Sequence, residues 1–217
     1  MNPLLTVTQD GSPTLFVPEL NEHYHSRHGA LQESKHVFIE AGLMHAYQQF
    51  NKPLNIIEIG MGTGLNVWLT LETNLPITYV GIEPFPLSKE LLGEFYKTLA
   101  WANEDFQSQL YAKPFQTQSL NPQFHLLWFH GPFSAFSTDL SAHVIFMDAF
   151  APEKQPELWT KDSFAQMFGL LENGGIMVTY CAKGQVRRDL ESVGFKVERL
   201  PGPPGKREML RAVKPLT

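Results

Sequence analysis

Three acidic residues lie at or near the ends of short apolar runs that favour β-strands. They are Glu58, Glu83 and Asp148. In an open α/β sheet, ligands bind beyond the carboxyl ends of the strands. A carboxylate at such an end can accept hydrogen bonds from hydroxyl or amino groups of a ligand. We therefore expect these three side chains to lie around one ligand-binding crevice.

The first of these strands runs into a glycine turn, Gly60-x-Gly62-x-Gly64, before a helix that opens at Asn66. Glycines at this spacing let the backbone approach a ligand closely. The dinucleotide fingerprint is G-x-G-x-x-G, so the third glycine comes one residue early. Glu58-Ile59-Gly60 instead resembles the first motif of S-adenosylmethionine-dependent methyltransferases. The alternative is a tight strand-to-helix turn that binds no ligand.

Glu83 ends the second predicted strand, about 20 residues after the glycines. A carboxylate at this place can accept both hydroxyls of a ribose. The turn and the acid together favour an adenosine-containing ligand over a surface glutamate that merely ends a strand.

The fourth predicted strand ends in Asp148-Ala149-Phe150-Ala151-Pro152. This resembles the [D/N]-P-P-[Y/F] motif of enzymes that methylate exocyclic amino groups. An attacking amine gains positive charge, and a carboxylate can hold its N–H groups, aim its lone pair and stabilise that charge. The alternative is an aspartate that only caps the loop.

Alternation of strand and helix patterns predicts an α/β, doubly wound, mostly parallel, Rossmann-like sheet of seven strands. We expect an antiparallel hairpin at its C-terminal end, since no helix separates the last two strands. An N-terminal hairpin over 4–17 and a helix over 29–50 form an extension packed on this sheet. Residues 1–217 are predicted to form one domain. The predicted strands are 54–59, 77–83, 123–130, 143–148, 176–180, 195–200 and 207–213, and the remaining helices are 66–71, 88–101, 156–171 and 183–193.

The 217 residues carry a net charge of −5, but the charge is uneven. Residues 183–217 hold 9 of the 17 basic and only 4 of the 22 acidic side chains. This basic end on an acidic body is compatible with local contact to a nucleic-acid backbone, or with an uneven solvated surface. The single Cys181 fits a reducing cytoplasm, and no signal peptide or membrane span is expected.

A histidine cluster, His23, His25 and His28, has no cysteine or second ligand group beside it. We therefore predict no metal site there.

Several motifs across most of the chain together resemble the methyltransferase domain of the MnmC family, which modifies bacterial tRNA. The resemblance implies transfer of one methyl group from S-adenosylmethionine to 5-aminomethyluridine, or its 2-thio form, at the wobble position of tRNA. The matching stretches are Tyr24-His25-Ser26, Glu33-Ser34-Lys35-His36-Val37-Phe38, the turn 60–66, Glu83-Pro84-Phe85-Pro86-Leu87, 148–152 with Pro156 and Trp159, Val186-Arg187-Arg188, and Gly205-Lys206-Arg207-Glu208-Met209-Leu210.

The resemblance also implies roles for individual residues. Asp148 orients the substrate amine and is the catalytic residue. The implied cofactor-binding residues are Glu58, Gly60, Met61, Gly62, Gly64, Asn66, Glu83 and Pro84. The implied substrate contacts are Tyr24, then Phe150 and Pro152 as walls of the uracil pocket, and Arg187, Arg188, Lys206 and Arg207 on phosphates.

The sequence departs from the family pattern in three ways. His130-Gly131-Pro132 replaces the usual Gly-Asp near the adenine, and Met61 and Gln155 replace a usual Phe and Asn. In the fused enzymes a second, FAD-dependent oxidoreductase domain removes a carboxymethyl group, and we expect none here. Three rival functions remain open: methylation of a small-molecule amine, a SAM- or RNA-binding module without catalysis, and aminopropyl transfer on a similar fold.

Overall fold

The computed structural model describes residues 2–99 and 104–216, and it begins with a small antiparallel sheet. Its strands are β1 (Leu4–Val7), β2 (Pro13–Val17) and β3 (Glu22–His23). Leu4 pairs with Phe16 and Val7 with Pro13, which confirms the predicted hairpin. The third strand, paired with β2, was not predicted.

A continuous helical stretch follows, as predicted. It consists of α1 (Ala30–Ser34), a π-helical segment (Lys35–Met44) and α2 (His45–Phe50). Its buried side, which includes Val37, Phe38 and Leu43, packs on the central sheet. Asn51 ends the helix in a left-handed conformation, with φ of 48°, just before Pro53.

The centre of the molecule is an eight-stranded mixed sheet. In chain order its strands are β4 (Leu54–Ile59), β5 (Ile77–Ile82), β6 (Gln118–Asn121), β7 (Phe124–Phe129), β8 (Ala142–Met147), β9 (Leu171–Thr179), β10 (Lys196–Pro201) and β11 (Glu208–Val213). Their spatial order is β10-β11-β9-β8-β4-β5-β7-β6. Strands β9, β8, β4, β5 and β7 run parallel, whereas β6 and β11 run antiparallel to them. Strand β10 pairs antiparallel with β11 and therefore has the direction of the parallel strands. The chain leaves β4 towards β5 on one side and later returns to β8 on the other, so the switch point lies beside β4.

Helices cover both faces of this sheet and close two apolar clusters. They are α3 (Leu65–Leu71), α4 (Lys89–Lys97), α5 (Glu104–Leu110), α6 (Lys161–Leu170) and α7 (Gly184–Val193), with 3₁₀ turns at Phe133–Ala135 and Pro156–Trp159. One cluster lies on the side of α3, α4 and the helical stretch 30–50. The other lies on the side of α6 and α7. None of the helices within residues 2–99 and 104–216 is long and apolar enough to cross a membrane.

Besides the unpredicted β3, the observed elements differ from the predicted ones in three places. The sheet has eight strands rather than seven, because part of the ambiguous segment 103–122 forms β6 against β7. The glycines at 174 and 175, expected to end a helix, lie inside β9 next to a register shift against β8. The helix after Ser88 ends at Lys97, and the predicted end at Trp101 lies outside the described residues.

Candidate functional site

A cavity of about 530 Å³ opens beyond the carboxyl ends of β4, β5 and β8. Its volume is typical of small-molecule sites, which span roughly 300–1,000 Å³. It lies at the switch point of the sheet, where the sequence predicted it. Its lining residues are Tyr24, Ile59, Gly60, Gly62, Ile82, Glu83, Pro84, Phe85, His130, Gly131, Pro132, Phe133, Ser134, Asp148, Ala149, Phe150, Gln155, Glu157, Leu158 and Ser163.

The glycine loop after β4 has a backbone that only glycine adopts without strain. Gly60 and Gly62 have φ of 88° and 50°. Both line the cavity, and a Cβ on Gly60 would come within 2.7 Å of the carbonyl oxygen of Asp148. The loop is therefore packed directly against the end of β8.

Two tyrosine hydroxyls hold this loop from outside the motif. Tyr111 donates a hydrogen bond to the carbonyl oxygen of Gly62 at 2.6 Å, and Tyr96 donates to that of Thr63 at 2.9 Å. His25, from the N-terminal extension, lies 3.2 Å from the Thr63 hydroxyl through its Nε2. The two tyrosine hydrogen bonds fix backbone carbonyl groups of the glycine loop, and the His25 contact fixes the Thr63 side chain.

Removal of one such hydroxyl tests the role of the tyrosines. Tyr111→Phe should weaken S-adenosylmethionine binding about 3- to 10-fold, since a hydrogen bond contributes ~0.5–1.5 kcal/mol net. Calorimetric titration measures this, and Tyr47→Phe, on α2, is the matched control. Unchanged affinity in Tyr111→Phe would show that the loop keeps its shape without this hydrogen bond.

Glu83 is buried at the end of β5, with 7% of its surface exposed. Its Oε2 accepts the Gly62 N–H at 2.9 Å and its Oε1 accepts the Phe85 N–H at 2.9 Å. Burial raises the pKa of Glu83, while these two hydrogen bonds lower it. A carboxylate has about four acceptor positions, so both oxygens can still accept a hydroxyl. The arrangement suits a ribose with two adjacent hydroxyl groups.

Asp148 lies at the end of β8 on the opposite wall of the cavity. Its Oδ2 accepts a hydrogen bond from Asn66 Nδ2 at 2.8 Å. The pKa of Asp148 is raised well above its ordinary value, chiefly by burial and then by the like charges of Glu58 and Glu33. The Asn66 hydrogen bond and the charge of Lys206 act in the opposite direction.

Three side chains fix the loop that follows Asp148. Gln155 Oε1 accepts the Phe150 N–H at 2.8 Å, and the Trp159 indole N–H donates to the Phe150 carbonyl at 2.8 Å. The Tyr180 hydroxyl donates to the Ala149 carbonyl at 2.8 Å. The ring of Phe150 then packs edge-on against Tyr24, with centroids 5.2 Å apart, so the two aromatics form one wall.

Seven of the predicted site residues line the cavity, and nine do not. Those that line it are Tyr24, Gly60, Gly62, Glu83, Pro84, Asp148 and Phe150. Those outside the lining are Glu58, Met61, Gly64, Asn66, Pro152, Arg187, Arg188, Lys206 and Arg207. Met61 packs against Gly81 of β5, and Gly64 packs against Leu110 of α5.

The predicted phosphate contacts have varied surroundings. Lys206 pairs with the buried Glu33 at 2.5 Å, and its ammonium lies 3.8 Å from the ring centroid of Tyr180. Arg187 pairs with Glu191 at 2.7 Å on α7. Arg188 and Arg207 are exposed. Arg188 donates to Gln185 at 2.8 Å, and neither Arg188 nor Arg207 forms an ion pair within the described residues, so these two are the better candidates for phosphate contacts.

The histidine cluster is spread across different contacts. His23 lies against Phe16, and His28 Nδ1 lies 3.0 Å from Gln9 Oε1. His25 is enclosed between Thr14 and Thr63, and burial lowers its pKa to about 4. Among the residues that the structure describes, no group of three or more His, Cys, Asp or Glu side chains could hold a metal ion.

The family resemblance indicated only part of the wall formed by 130–134, the stretch His130-Gly131-Pro132. This wall contains His130 and Ser134 as polar side chains, where the family resemblance leads one to expect an acid. Phe133 also lines this wall, and it belongs to the second apolar cluster. Phe133 and Ser134 were not predicted, and the only signal for them was their place after β7, the third predicted strand.

The cavity has the chemistry that S-adenosylmethionine requires. A close backbone approach at Gly60 and Gly62, with no Cβ on either, leaves room for the amino-acid end of the cofactor. Glu83 offers acceptors for the ribose, and Pro84, Phe85 and Phe133 offer apolar surface for the adenine. Asp148 lies on the wall opposite, where a methyl acceptor would enter. The described residues therefore fit this cofactor.

Comparisons with known proteins agree with this assignment. A family model described as S-adenosyl-L-methionine-dependent methyltransferase matches residues 118–215. The chain is 32% identical over 216 residues to the tRNA 5-methylaminomethyl-2-thiouridine biosynthesis bifunctional protein MnmC of Magnetococcus marinus, covering 92% of this chain and 32% of that protein. It is 29% identical to MnmC of Pseudoalteromonas atlantica, covering 94% and 32%. The chain thus spans about a third of the length of the curated relatives that it matches.

Solved structures give the same result for the fold. The crystal structure of MnmC2 from Aquifex aeolicus aligns with a TM-score of 0.76 and 25% identity, over 100% of this chain and 72% of that one. Spermidine synthase from Thermotoga maritima aligns with a TM-score of 0.57 and 13% identity, over 94% and 69%. At that identity the second similarity concerns the fold alone. The predicted α/β fold class is confirmed.

Proposed function

Because this chain is a homologue of the MnmC proteins, as the sequence motifs predicted, we propose that it methylates the aminomethyl group of a modified tRNA uridine. The substrate is 5-aminomethyluridine, or its 2-thio form, at the wobble position, and the product is the 5-methylaminomethyl derivative. The methyl donor is S-adenosylmethionine. The observation that carries the proposal is Asp148, on the cavity wall across from the Glu83 carboxylate, to which we assign the ribose.

Asp148 acts as a hydrogen-bond acceptor in this proposal. S-adenosylmethionine supplies a methyl group made electrophilic by its sulfonium. Asp148 accepts an N–H of the incoming amine, aims the nitrogen lone pair at that methyl carbon and stabilises the positive charge that grows on nitrogen. The N–C bond forms as the S–C bond breaks, and the methylated ammonium then loses a proton to water.

The amine must be neutral when it attacks, because an ammonium has no lone pair. A buried carboxylate next to a second carboxylate favours a bound cation, so Asp148 alone would favour the ammonium form. Lys206 opposes this, since its positive charge contributes to the potential at Asp148. Its partner Glu33 acts in the opposite direction, so the amine must arrive neutral or lose its proton to water before it attacks.

The aromatic wall suits a uracil ring. Tyr24 and Phe150 meet edge-on, and the Phe150 backbone is fixed by Gln155 and Trp159. Single-stranded RNA bases are commonly recognised by stacking on such rings. Pro152 and the exposed Arg188 and Arg207 lie outside the cavity, where backbone contacts would add affinity without selecting the base.

Nucleoside mass spectrometry tests the proposed reaction. The purified chain with saturating S-adenosylmethionine should convert aminomethyluridine to methylaminomethyluridine in tRNA from a strain that lacks this methylation. Wild-type tRNA, in which the site is already methylated, is the matched control substrate. No new nucleoside at saturating methyl donor would exclude the tRNA assignment.

The salt dependence of tRNA binding separates this function from methylation of a small amine. Phosphate contacts release counterions, so tRNA affinity should fall as salt rises. An enzyme for a small amine would retain tRNA weakly and without preference for the aminomethylated form.

A further inference from the structure

We propose that Asn66 is a positioning residue that holds the Asp148 carboxylate, and that Glu58 in turn holds the Asn66 amide. This inference rests on the proposed function, in which Asp148 orients the amine. It gives Glu58 and Asn66 a role different from the cofactor contact that the sequence resemblance implies. The acid and the asparagine of the glycine motif would then serve the acceptor side of the reaction.

The geometry is a chain of short hydrogen bonds from β5 to the cavity. The Tyr79 hydroxyl donates to Glu58 Oε2 at 2.8 Å, and Asn66 Nδ2 donates to Glu58 Oε1 at 2.7 Å. The same Nδ2 donates its second hydrogen to Asp148 Oδ2 at 2.8 Å. Glu58 and Asn66 are 1% and 2% exposed, and neither lines the cavity. One amide nitrogen therefore bridges two carboxylates.

This bridge fixes the orientation of both partners. An amide nitrogen has two N–H groups, and each is directed at one carboxylate. A flipped amide would turn the Asn66 carbonyl oxygen towards two carboxyl oxygens and lose both hydrogen bonds, so Glu58 determines which atom of Asn66 faces Asp148. Asp148 Oδ1 accepts no hydrogen bond from the described residues and is free for a substrate amine. The bond to Oδ2 thus sets the plane in which Oδ1 meets the amine.

The electrostatics around Asp148 are consistent with this role. Glu58 from β4 and Glu33 from α1 raise its pKa, while Asn66 from α3 and Lys206, in the turn between β10 and β11, lower it. Two tyrosines, Tyr79 of β5 and Tyr180 after β9, also interact electrostatically with Asp148. Burial raises the pKa of Glu58 itself to about 8, against the hydrogen bonds from Asn66 and Tyr79.

The kinetic test compares substitutions along this chain of hydrogen bonds. Asn66→Ala should lower kcat about 30- to 100-fold, since a displacement near 1 Å at a reacting group can cost about 10²-fold. The Kd for S-adenosylmethionine and the KM for tRNA should stay within about threefold. Thr70→Val is the matched control: it is isosteric, lies one turn along α3, and its buried hydroxyl has no hydrogen-bond partner within the described residues. A loss of cofactor affinity that accounts for the loss of activity would overturn the proposal in favour of cofactor binding.

If Asn66→Ala does not fold, two substitutions at Glu58 test the positioning role instead. Glu58→Gln keeps a carbonyl oxygen that can accept from Asn66, so kcat should remain within about threefold of wild type. Glu58→Leu removes the acceptor and should approach the loss seen in Asn66→Ala. Equal losses in Glu58→Gln and Glu58→Leu would contradict the positioning role.

Titration of the Asp148 carboxyl by ¹³C NMR provides a readout that needs no substrate. Asn66→Ala should raise the pKa of Asp148, because a hydrogen bond to the charged form is lost. Glu58→Gln should lower it or leave it unchanged, because a like charge is lost wherever Glu58 is ionised and no hydrogen bond to Asp148 is lost. The absence of a rise in Asn66→Ala, or a rise in Glu58→Gln, would overturn the inference. Failure of tRNA methylation by the wild-type chain would instead count against the proposed function and leave this titration interpretable.

Discussion

Asp148→Ala is expected to reduce methyl transfer about 10²- to 10³-fold while the protein still binds S-adenosylmethionine. Removing one group that stabilises charge in a transition state costs about this much. Asp148 lies across the cavity from Glu83, so its loss should leave the ribose contacts intact. Single-turnover rates at saturating methyl donor, together with calorimetric Kd values, measure both effects.

Two further substitutions define what Asp148 contributes. Asp148→Asn keeps a carbonyl oxygen that can accept an N–H but loses the charge, so its rate should fall between those of wild type and Asp148→Ala. Asp162→Ala, in the exposed first turn of α6, removes an aspartate that does not line the cavity and should leave the rate unchanged. Loss of cofactor binding in Asp148→Ala would make Asp148 a structural residue.

The strand ends that position the site could be predicted from local sequence. Residues 54–59, 77–82 and 142–147 are short apolar runs rich in β-branched side chains, and each leads directly to a motif. A local pattern of this kind predicts the strand, and the alternation of strands with helices predicts a parallel sheet whose carboxyl ends share one edge. Together these patterns place the acids Glu83 and Asp148 at that edge, where the cavity lies.

Contacts between distant segments could not be predicted in this way. Lys206 and Glu33 are separated by 173 residues, and nothing in either local pattern indicates that they pair. Tyr111 reaches Gly62 across 49 residues from a segment with no clear periodicity. The strand β6, in the same segment, is short and lies at the edge, where pairing with β7 rather than intrinsic preference decides its structure.

Asn66 lies between these two cases. Its position at the start of α3 followed from the motif, and the resemblance assigned it to the cofactor. Its amide instead faces two carboxylates that come from β4 and from the end of β8. The sequence thus located the residue, but its role depends on which strand lies beside β4.

Gly60→Ala should cause the largest loss of both stability and activity among single changes in the glycine loop. A φ of 88° costs a residue with a Cβ about 1–2 kcal/mol. The new Cβ would also lie 2.7 Å from the Asp148 carbonyl oxygen and 3.2 Å from the Ala149 Cα, which are backbone atoms that cannot rotate away. Relief of this overlap costs a further ~1–3 kcal/mol and moves Asp148 away from the amine. We expect methyl transfer to fall by about 10²-fold or more, measured with the stability to urea of the same variant.

Gly11→Ala provides the comparison that separates these two effects. Gly11 has a similar φ of 81°, but a Cβ there would have no atom within 4 Å. It should therefore lose only the ~1–2 kcal/mol of conformational strain and keep full activity. An equal loss of stability in both variants, with activity retained in Gly60→Ala, would show that the end of β8 can yield. In that case the contact between Gly60 and the Asp148 backbone would not determine where Asp148 lies. The positions of the methyl donor and of the methyl acceptor would then be set independently.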